Sequence, residues 1–105
     1  MATLSDDPNL ARFRAALEAI YGSRLDRVVL FGSRARGDAR ADSDYDVAVF
    51  LKLLPDRWAE LDRLAELRVR FLDETGAFFD AKPYAAAAYG ERSPLMHEVR
   101  RGVDL

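Results

Sequence analysis

The first apolar pattern along the chain is helical. Between residues 10 and 20, apolar side chains recur every three or four positions, the spacing that places them on one face of an α-helix. Asp6 or Asp7 is suited to cap this helix, and Pro8 is tolerated in its first turn. We expect the helix to end at Gly22.

Three short apolar runs predict strands. Residues 27–31 and 45–51 are rich in β-branched and aromatic side chains, as expected of buried strands, and the first run stops at Gly32. Residues 77–81 have the character of a third strand. We expect this strand to end before Pro83, because proline cannot donate a ladder hydrogen bond within a central strand.

A longer helical segment separates the second and third strands. Pro55 is suited to the first turn of a helix, and Gly76 follows the end of the helical pattern. We expect this helix to lie across the sheet. Its predicted apolar stripe consists of Trp58, Leu61, Leu64, Ala65, Phe71 and Leu72.

The C-terminal segment also contains a helical signal. Ser93 and Pro94 are typical of a helix cap and a first turn, and Gly102 is expected to close the short helix that follows. Residues 85–88 fit either a helix or a loop. Together these elements predict one mixed α/β layer structure, of the α+β type.

Composition limits the classes of function. The 105 residues fit a single domain spanning residues 1–105, and the net charge of −2 does not favour direct nucleic-acid binding through charge alone. The sequence has no cysteine, which excludes disulfides, thiolate metal sites and cysteine nucleophiles. No apolar run approaches the roughly 20 residues that a membrane span needs. We therefore expect a cytoplasmic protein that does not bind membranes.

Asp44 and Asp46 are the strongest candidates for catalysis. They stand two residues apart at the start of a strand, so both carboxylates are expected on one face, where they repel each other unless a cation lies between them. Mg²⁺ prefers such oxygen ligands and takes phosphate oxygens as further ligands. Gly32 and Ser33 follow the preceding strand and are expected to bind phosphate through backbone N–H groups and the serine hydroxyl. Taken alone, the acid pair would also fit a solvated turn.

Further candidates lie near this group in sequence or on a neighbouring strand. Arg34, Arg36 and Arg40 share the loop and are suited to bind a triphosphate, although loop arginines are often simply solvated. Asp80 lies on the predicted third strand, on the same face as Lys82. Beside the first two acids, Asp80 would either help to hold a second metal ion or take the proton from the attacking hydroxyl.

Two segments together carry a family resemblance: Gly-Ser-Arg-Ala-Arg-Gly at residues 32–37 and Ser-Asp-Tyr-Asp at residues 43–46. They closely resemble the signature of the minimal nucleotidyltransferase (MNT) domains of the polymerase-beta superfamily. The resemblance implies a small mixed β-sheet flanked by helices and transfer of a nucleoside monophosphate, with release of pyrophosphate. It also implies two Mg²⁺ ions held by Asp44, Asp46 and, as the third acid, Asp80.

The chain length indicates one branch of this superfamily. Larger members carry further domains that bind the acceptor, and we expect no such domain in 105 residues. Members of this size resemble the antitoxin of two-gene modules, whose partner is an all-helical HEPN-domain ribonuclease toxin. The implied reaction transfers AMP from ATP to a tyrosine hydroxyl of that toxin within a hetero-oligomer. Two alternatives stay open: a partner-binding antitoxin with a vestigial nucleotide site, and a transferase for a small-molecule or RNA acceptor.

Overall fold

A computed structural model describes residues 7–105 as helices packed on a four-stranded sheet. Two short 3₁₀ segments, Gly22–Arg24 and Ala86–Gly90, precede the first strand and follow the third. The remaining elements in chain order are α1 (Pro8–Tyr21), β1 (Leu25–Phe31), α2 (Ser33–Arg36), β2 (Tyr45–Leu51), α3 (Arg57–Thr75), β3 (Phe79–Ala85), α4 (Pro94–Arg100) and β4 (Val103–Asp104).

The sheet is mixed and has the strand order β3-β2-β1-β4. β1 pairs antiparallel with both β2 and β4, whereas β2 and β3 run parallel to each other. The parallel pair is connected through α3, as expected because parallel neighbours need a long crossover. The predicted mixed sheet flanked by helices is confirmed.

The two faces of the sheet bury different clusters. On one face, α1 and α3 cover alternate residues of the strands, and Phe13 stacks on Phe79 with ring centroids 4.1 Å apart. On the other face, Met96 and Val99 of α4 pack against a smaller cluster that includes Phe50. Because side chains alternate along a strand, Asp46 belongs to this second face, two positions from Ala48.

The helix starts agree with the capping signals in the sequence. Asp7 caps α1 by accepting a hydrogen bond from the Asn9 N–H at 2.9 Å, while Asp6, the other predicted cap, lies outside the described residues. Asp56 caps α3 and Ser93 caps α4 in the same manner, each accepting from an N–H three residues later. The predicted place of Pro55 in the first turn of α3 is wrong, because the helix begins at Arg57 and Pro55 precedes the Asp56 cap.

The predicted apolar stripe of α3 is wrong at two positions. Trp58 is 78% exposed and Leu72 is 44% exposed, so neither belongs to the core. The buried face of α3 consists of Glu60, Leu64, Leu67 and Phe71. Glu60 is tolerated there because Arg24 donates a hydrogen bond to its carboxylate at 2.8 Å.

The predicted end of the third strand is also wrong. β3 continues to Ala85, and Pro83 lies within it, in register with Val49 of β2. The carbonyl of Pro83 accepts a hydrogen bond from Arg57 at 2.7 Å and so points away from β2. The N–H that proline lacks would have faced the same open side, because the N–H and C=O of one strand residue point in the same direction. Pro83 is therefore compatible with an edge strand.

Two features were not predicted from the sequence. β4 is only two residues long and pairs with β1 through Val103 and Asp104. The segment after β3, which fitted either a helix or a loop, forms a 3₁₀ turn.

Among residues 7–105, no helix combines the length and the apolar composition that crossing a bilayer needs.

Candidate functional site

The Gly-Ser turn lies at the end of β1 and contacts a predicted catalytic acid. Gly32 has φ 75° and ψ −156°, a conformation that residues with a Cβ rarely adopt. A Cβ built on Gly32 would collide with Oδ2 of Asp46 and lie 3.3 Å from its Cγ. Glycine at this position therefore allows the backbone to approach the Asp46 carboxylate, and Ser33 begins α2 directly after it.

Asp46 and Asp80 lie side by side. Each is the second residue of its strand, and the parallel register of β2 and β3 pairs them directly. Their side chains project from the same face of the sheet, because paired residues in a ladder point the same way. The structure thus brings together two of the three predicted acids. Asp44 is exposed and lies just before β2, two residues from Asp46.

The environment of Asp46 disfavours its charged form. Burial raises the pKa of this carboxyl above its ordinary value, and the negative charges of Asp80 and Asp44 raise it further. The positive charges of Lys82 and Arg36 act in the opposite direction. The pKa of Asp46 therefore responds to all the acids predicted for the site and to two cations.

The donor set has the chemistry of a magnesium site. Asp44, Asp46 and Asp80 offer only carboxylate oxygens, the ligands that Mg²⁺ prefers, and a cation would relieve the repulsion that raises the pKa of Asp46. Within residues 7–105, no three acidic, histidine or cysteine side chains already converge closely enough to hold an ion. The two-ion arrangement that the resemblance implies stays a prediction.

Arg34 braces the loop that precedes Asp44. Its guanidinium donates to the Ser43 carbonyl at 2.8 Å and to the Ala41 carbonyl at 3.1 Å, and it stacks 4.0 Å from the centre of the Tyr45 ring. These contacts hold the residues on either side of Asp44. Binding of phosphate by Arg34 stays a prediction, and its contacts in the structure are those of a positioning residue.

Arg36 forms ion pairs at the other side of the Gly-Ser turn. Its guanidinium lies 2.9 Å from Glu98 of α4 and 3.3 Å from Asp38. Arg40 contributes its backbone N–H, which donates to the Ser43 hydroxyl at 2.8 Å. The charge of Arg36 also lowers the pKa of Asp46.

A family model described as "Nucleotidyltransferase domain" matches residues 10–86, which is more than half of the chain. The chain belongs to the nucleotidyltransferase domain family. The matched segment contains the Gly-Ser turn and all three predicted acids. The predicted resemblance to this superfamily is confirmed.

Two curated relatives of this nucleotidyltransferase domain come from the archaeon Methanocaldococcus jannaschii. One, named "Putative protein adenylyltransferase MJ0141", is 44% identical over 46 residues, and the other, "Putative protein adenylyltransferase MJ0604", is 35% identical over 46 residues. Each match covers 44% of this chain and 46% of the relative. The chain thus spans about half the length of the curated relatives it matches.

The sequence did not indicate that α4 contacts the candidate site. Glu98 reaches Arg36 only because α4 folds back over β1, and no short motif marks it. Lys82 was placed correctly on the face of Asp80, but its effect on Asp46 depends on the β2–β3 register. Both residues illustrate contacts that arise from tertiary packing.

Proposed function

We propose that the chain catalyses transfer of a nucleoside monophosphate from a nucleoside triphosphate to a hydroxyl group of a protein, with Mg²⁺ as cofactor. The observation that carries this proposal is the direct pairing of Asp46 with Asp80 beside Gly32. Two carboxylates on one sheet face, next to a glycine that leaves the backbone accessible, suit the binding of a metal ion together with phosphate.

The residues of the site have separate roles in this proposal. Asp44 and Asp46 would supply carboxylate oxygens to the metal ion, and Asp80 would act as the base. When bound, Mg²⁺ would polarise a phosphoryl oxygen and offset negative charge on the departing pyrophosphate. Gly32 and Ser33 would orient the polyphosphate through backbone N–H groups and the serine hydroxyl.

The proposed reaction exchanges one bond to phosphorus for another. The acceptor hydroxyl oxygen forms a bond to the α-phosphorus, and the bond from that phosphorus to the oxygen bridging the β-phosphate breaks. Pyrophosphate leaves with the electrons of that bond. Asp80, on the outer strand of the sheet, takes the hydroxyl proton and later returns it to water.

The finer proposal concerns donor and acceptor. We infer that ATP is the donor and that AMP is attached to a tyrosine of a HEPN-domain toxin, which the chain binds as its antitoxin. The names of the two archaeal relatives support a protein acceptor, and the MNT signature supports the toxin partner. The binding of this toxin would create a hetero-oligomer.

An exposed apolar stripe on α3 also supports a protein partner. Trp58 and Val69 are three helical turns apart, with Leu72 one turn further, and all three are exposed. A groove of about 280 Å³ between α3 and β3 is lined by Trp58 and by Asp80. A protein that packs on the stripe would therefore lie along β3, the outer strand that carries Asp80.

The same stripe favours a second candidate function. A module that only covers a partner surface would need the exposed side chains of Trp58, Val69 and Leu72, and it would not need the acids. The two functions differ in what happens after binding. The first leaves an AMP group on the partner, whereas the second leaves the partner unchanged.

Mass spectrometry of the partner tests both candidates. We expect that incubation with ATP, Mg²⁺ and a purified HEPN partner adds the mass of one AMP group to a tyrosine. Asp44→Asn should abolish the gain while the fold survives, because one metal ligand is lost. Asp42→Asn is the matched control, since it removes an exposed acid from the same loop.

The outcomes separate the candidates. A complex that forms without any gain in mass would refute the enzyme and support the binding module. Thermal melting adds an independent measure, because Mg-ATP at 100 times its dissociation constant should stabilise an intact nucleotide site by about 2.7 kcal/mol. A melting temperature that Mg-ATP leaves unchanged would count against the nucleotide site itself.

A further inference from the structure

A small cleft opens beside the Gly-Ser turn. Its volume is about 60 Å³, far below that of a pocket for a whole nucleoside. Two arginines and one glutamate contribute to it, so its side chains carry an excess of one positive charge. The residues that line the cleft are Gly32, Ala35, Arg36, Glu98, Arg101 and Gly102.

Close packing of Gly102 fixes the backbone next to Arg101, whose side chain is exposed. A Cβ on Gly102 would collide with the carbonyl oxygen of Leu30 and lie 2.9 Å from a methyl carbon of Val29. Gly102 therefore packs directly on Leu30 of β1, and Leu30 lies two residues before Gly32. The Arg101 N–H donates to the Glu98 carbonyl at 3.2 Å, which ties this segment to the end of α4.

The strand order arranges these residues in a row along one edge of the sheet. Asp80 lies on β3, Asp46 on β2, Gly32 at the end of β1, and Arg101 just before β4. Neighbouring strands are about 4.8 Å apart, so the row extends roughly 10 Å from Asp46 to the β4 end. A triphosphate whose α-phosphate lies beside the acids would extend its remaining phosphates past Gly32 toward this end.

We propose that Arg101, together with Arg36, binds the β- and γ-phosphates of the nucleoside triphosphate. The proposal rests on the proposed function, because it takes the α-phosphate to lie beside Asp46 and Asp80. Guanidinium groups suit this role, since their planar donors match phosphate oxygens. The family match ends at residue 86 and therefore assigns no role to Arg101.

Glu98 competes with the polyphosphate for Arg36. The carboxylate of Glu98 lies 2.9 Å from the Arg36 guanidinium and lines the same cleft. Its negative charge lowers the attraction of the cleft for an anion. Removal of this charge should therefore strengthen binding of a polyphosphate, in contrast to removal of Arg101.

Calorimetric titration of the intact chain tests the subsite with three probes: Mg-ATP, inorganic tripolyphosphate and AMP. Arg101→Gln should weaken binding of ATP and tripolyphosphate about tenfold, the effect of one charge-assisted hydrogen bond, and leave AMP binding unchanged. Glu98→Gln should tighten tripolyphosphate binding roughly two- to fivefold. Arg92→Gln is the matched control, because Arg92 is exposed and precedes the opposite end of α4.

Each outcome decides the proposal. An equal loss for AMP and ATP in Arg101→Gln, or no loss for either, would overturn the subsite and leave the proposed function standing. A wild-type chain that binds neither Mg-ATP nor tripolyphosphate would overturn both. Thermal melting of each variant shows whether a lost affinity reflects a lost fold.

Discussion

Gly32→Ala tests the contact on which the proposed site depends. At φ 75° and ψ −156°, a residue with a Cβ costs about 1–3 kcal/mol of backbone strain. The new methyl group would also displace the Asp46 carboxylate from its position, which adds roughly 0.5–1.5 kcal/mol if the side chain leaves its rotamer. We expect a total loss of about 3 kcal/mol, which lowers the melting temperature by roughly 12–24 °C in a domain of this size.

Gly22→Ala provides the matched control. Gly22 has a similar backbone conformation, with φ 54° and ψ −127°, but a Cβ there would meet no atom within 4 Å. It also precedes β1, whereas Gly32 follows it, so the two glycines lie at opposite ends of that strand. Gly22→Ala should therefore show the backbone strain without the displacement of Asp46.

Urea denaturation and thermal melting with Mg-ATP distinguish the two variants. Both should lose stability, but only Gly32→Ala should also lose the stabilisation that Mg-ATP provides. The reasoning would be refuted if the two variants lost equal stability and responded equally to Mg-ATP. That result would mean that the Gly32 contact with Asp46 has no part in the site.

Three further predictions concern single side chains. Without divalent cations, Asp46→Asn should stabilise the fold near pH 7. Folding raises the pKa of Asp46, so the charged carboxylate lowers the stability of the wild type as pH rises from the ordinary pKa through the raised one. In urea denaturation, the stability gained by Asp46→Asn should therefore shrink from pH 7 down to pH 4. Arg24→Met should cost about 3 kcal/mol, because Glu60 stays buried with only the longer 3.5 Å ion pair to Arg63. The double variant with Glu60→Leu should lose less in the same denaturation assay. Arg34→Lys should weaken Mg-ATP binding in calorimetry with little change in melting temperature, because lysine cannot hold both carbonyls and stack on Tyr45; unchanged affinity would contradict the bracing role.

The local parts of the site could be predicted because they depend on short-range geometry. A glycine turn after one strand and two acids at the start of the next are recognisable in the sequence, and strand alternation correctly places Asp46 on the opposite face from Tyr45. The same alternation placed Asp80 on the face that it occupies beside Asp46. The catalytic role of each acid stays a prediction.

Longer-range features could not be predicted in the same way. The end of the third strand depended on whether Pro83 lay at an open edge, which only the strand order reveals. The exposure of Trp58 depended on which face of α3 meets the sheet: Trp58 shares the exposed face with Val69 and Leu72, whereas the buried residues lie on the opposite face. The approach of Arg101 to Gly32 required the fold-back of α4 and the close packing of Gly102.

The pairing of β2 with β3 has a consequence for the order of folding. Asp46 and Asp80 are 34 residues apart in the chain, with the whole of α3 between them, so chain entropy opposes their contact until α3 has packed. Local opening of α3 and β3 would separate the two acids even while β1 and β2 stayed paired. A ligand that bridges both carboxylates would therefore slow hydrogen exchange most strongly in β3.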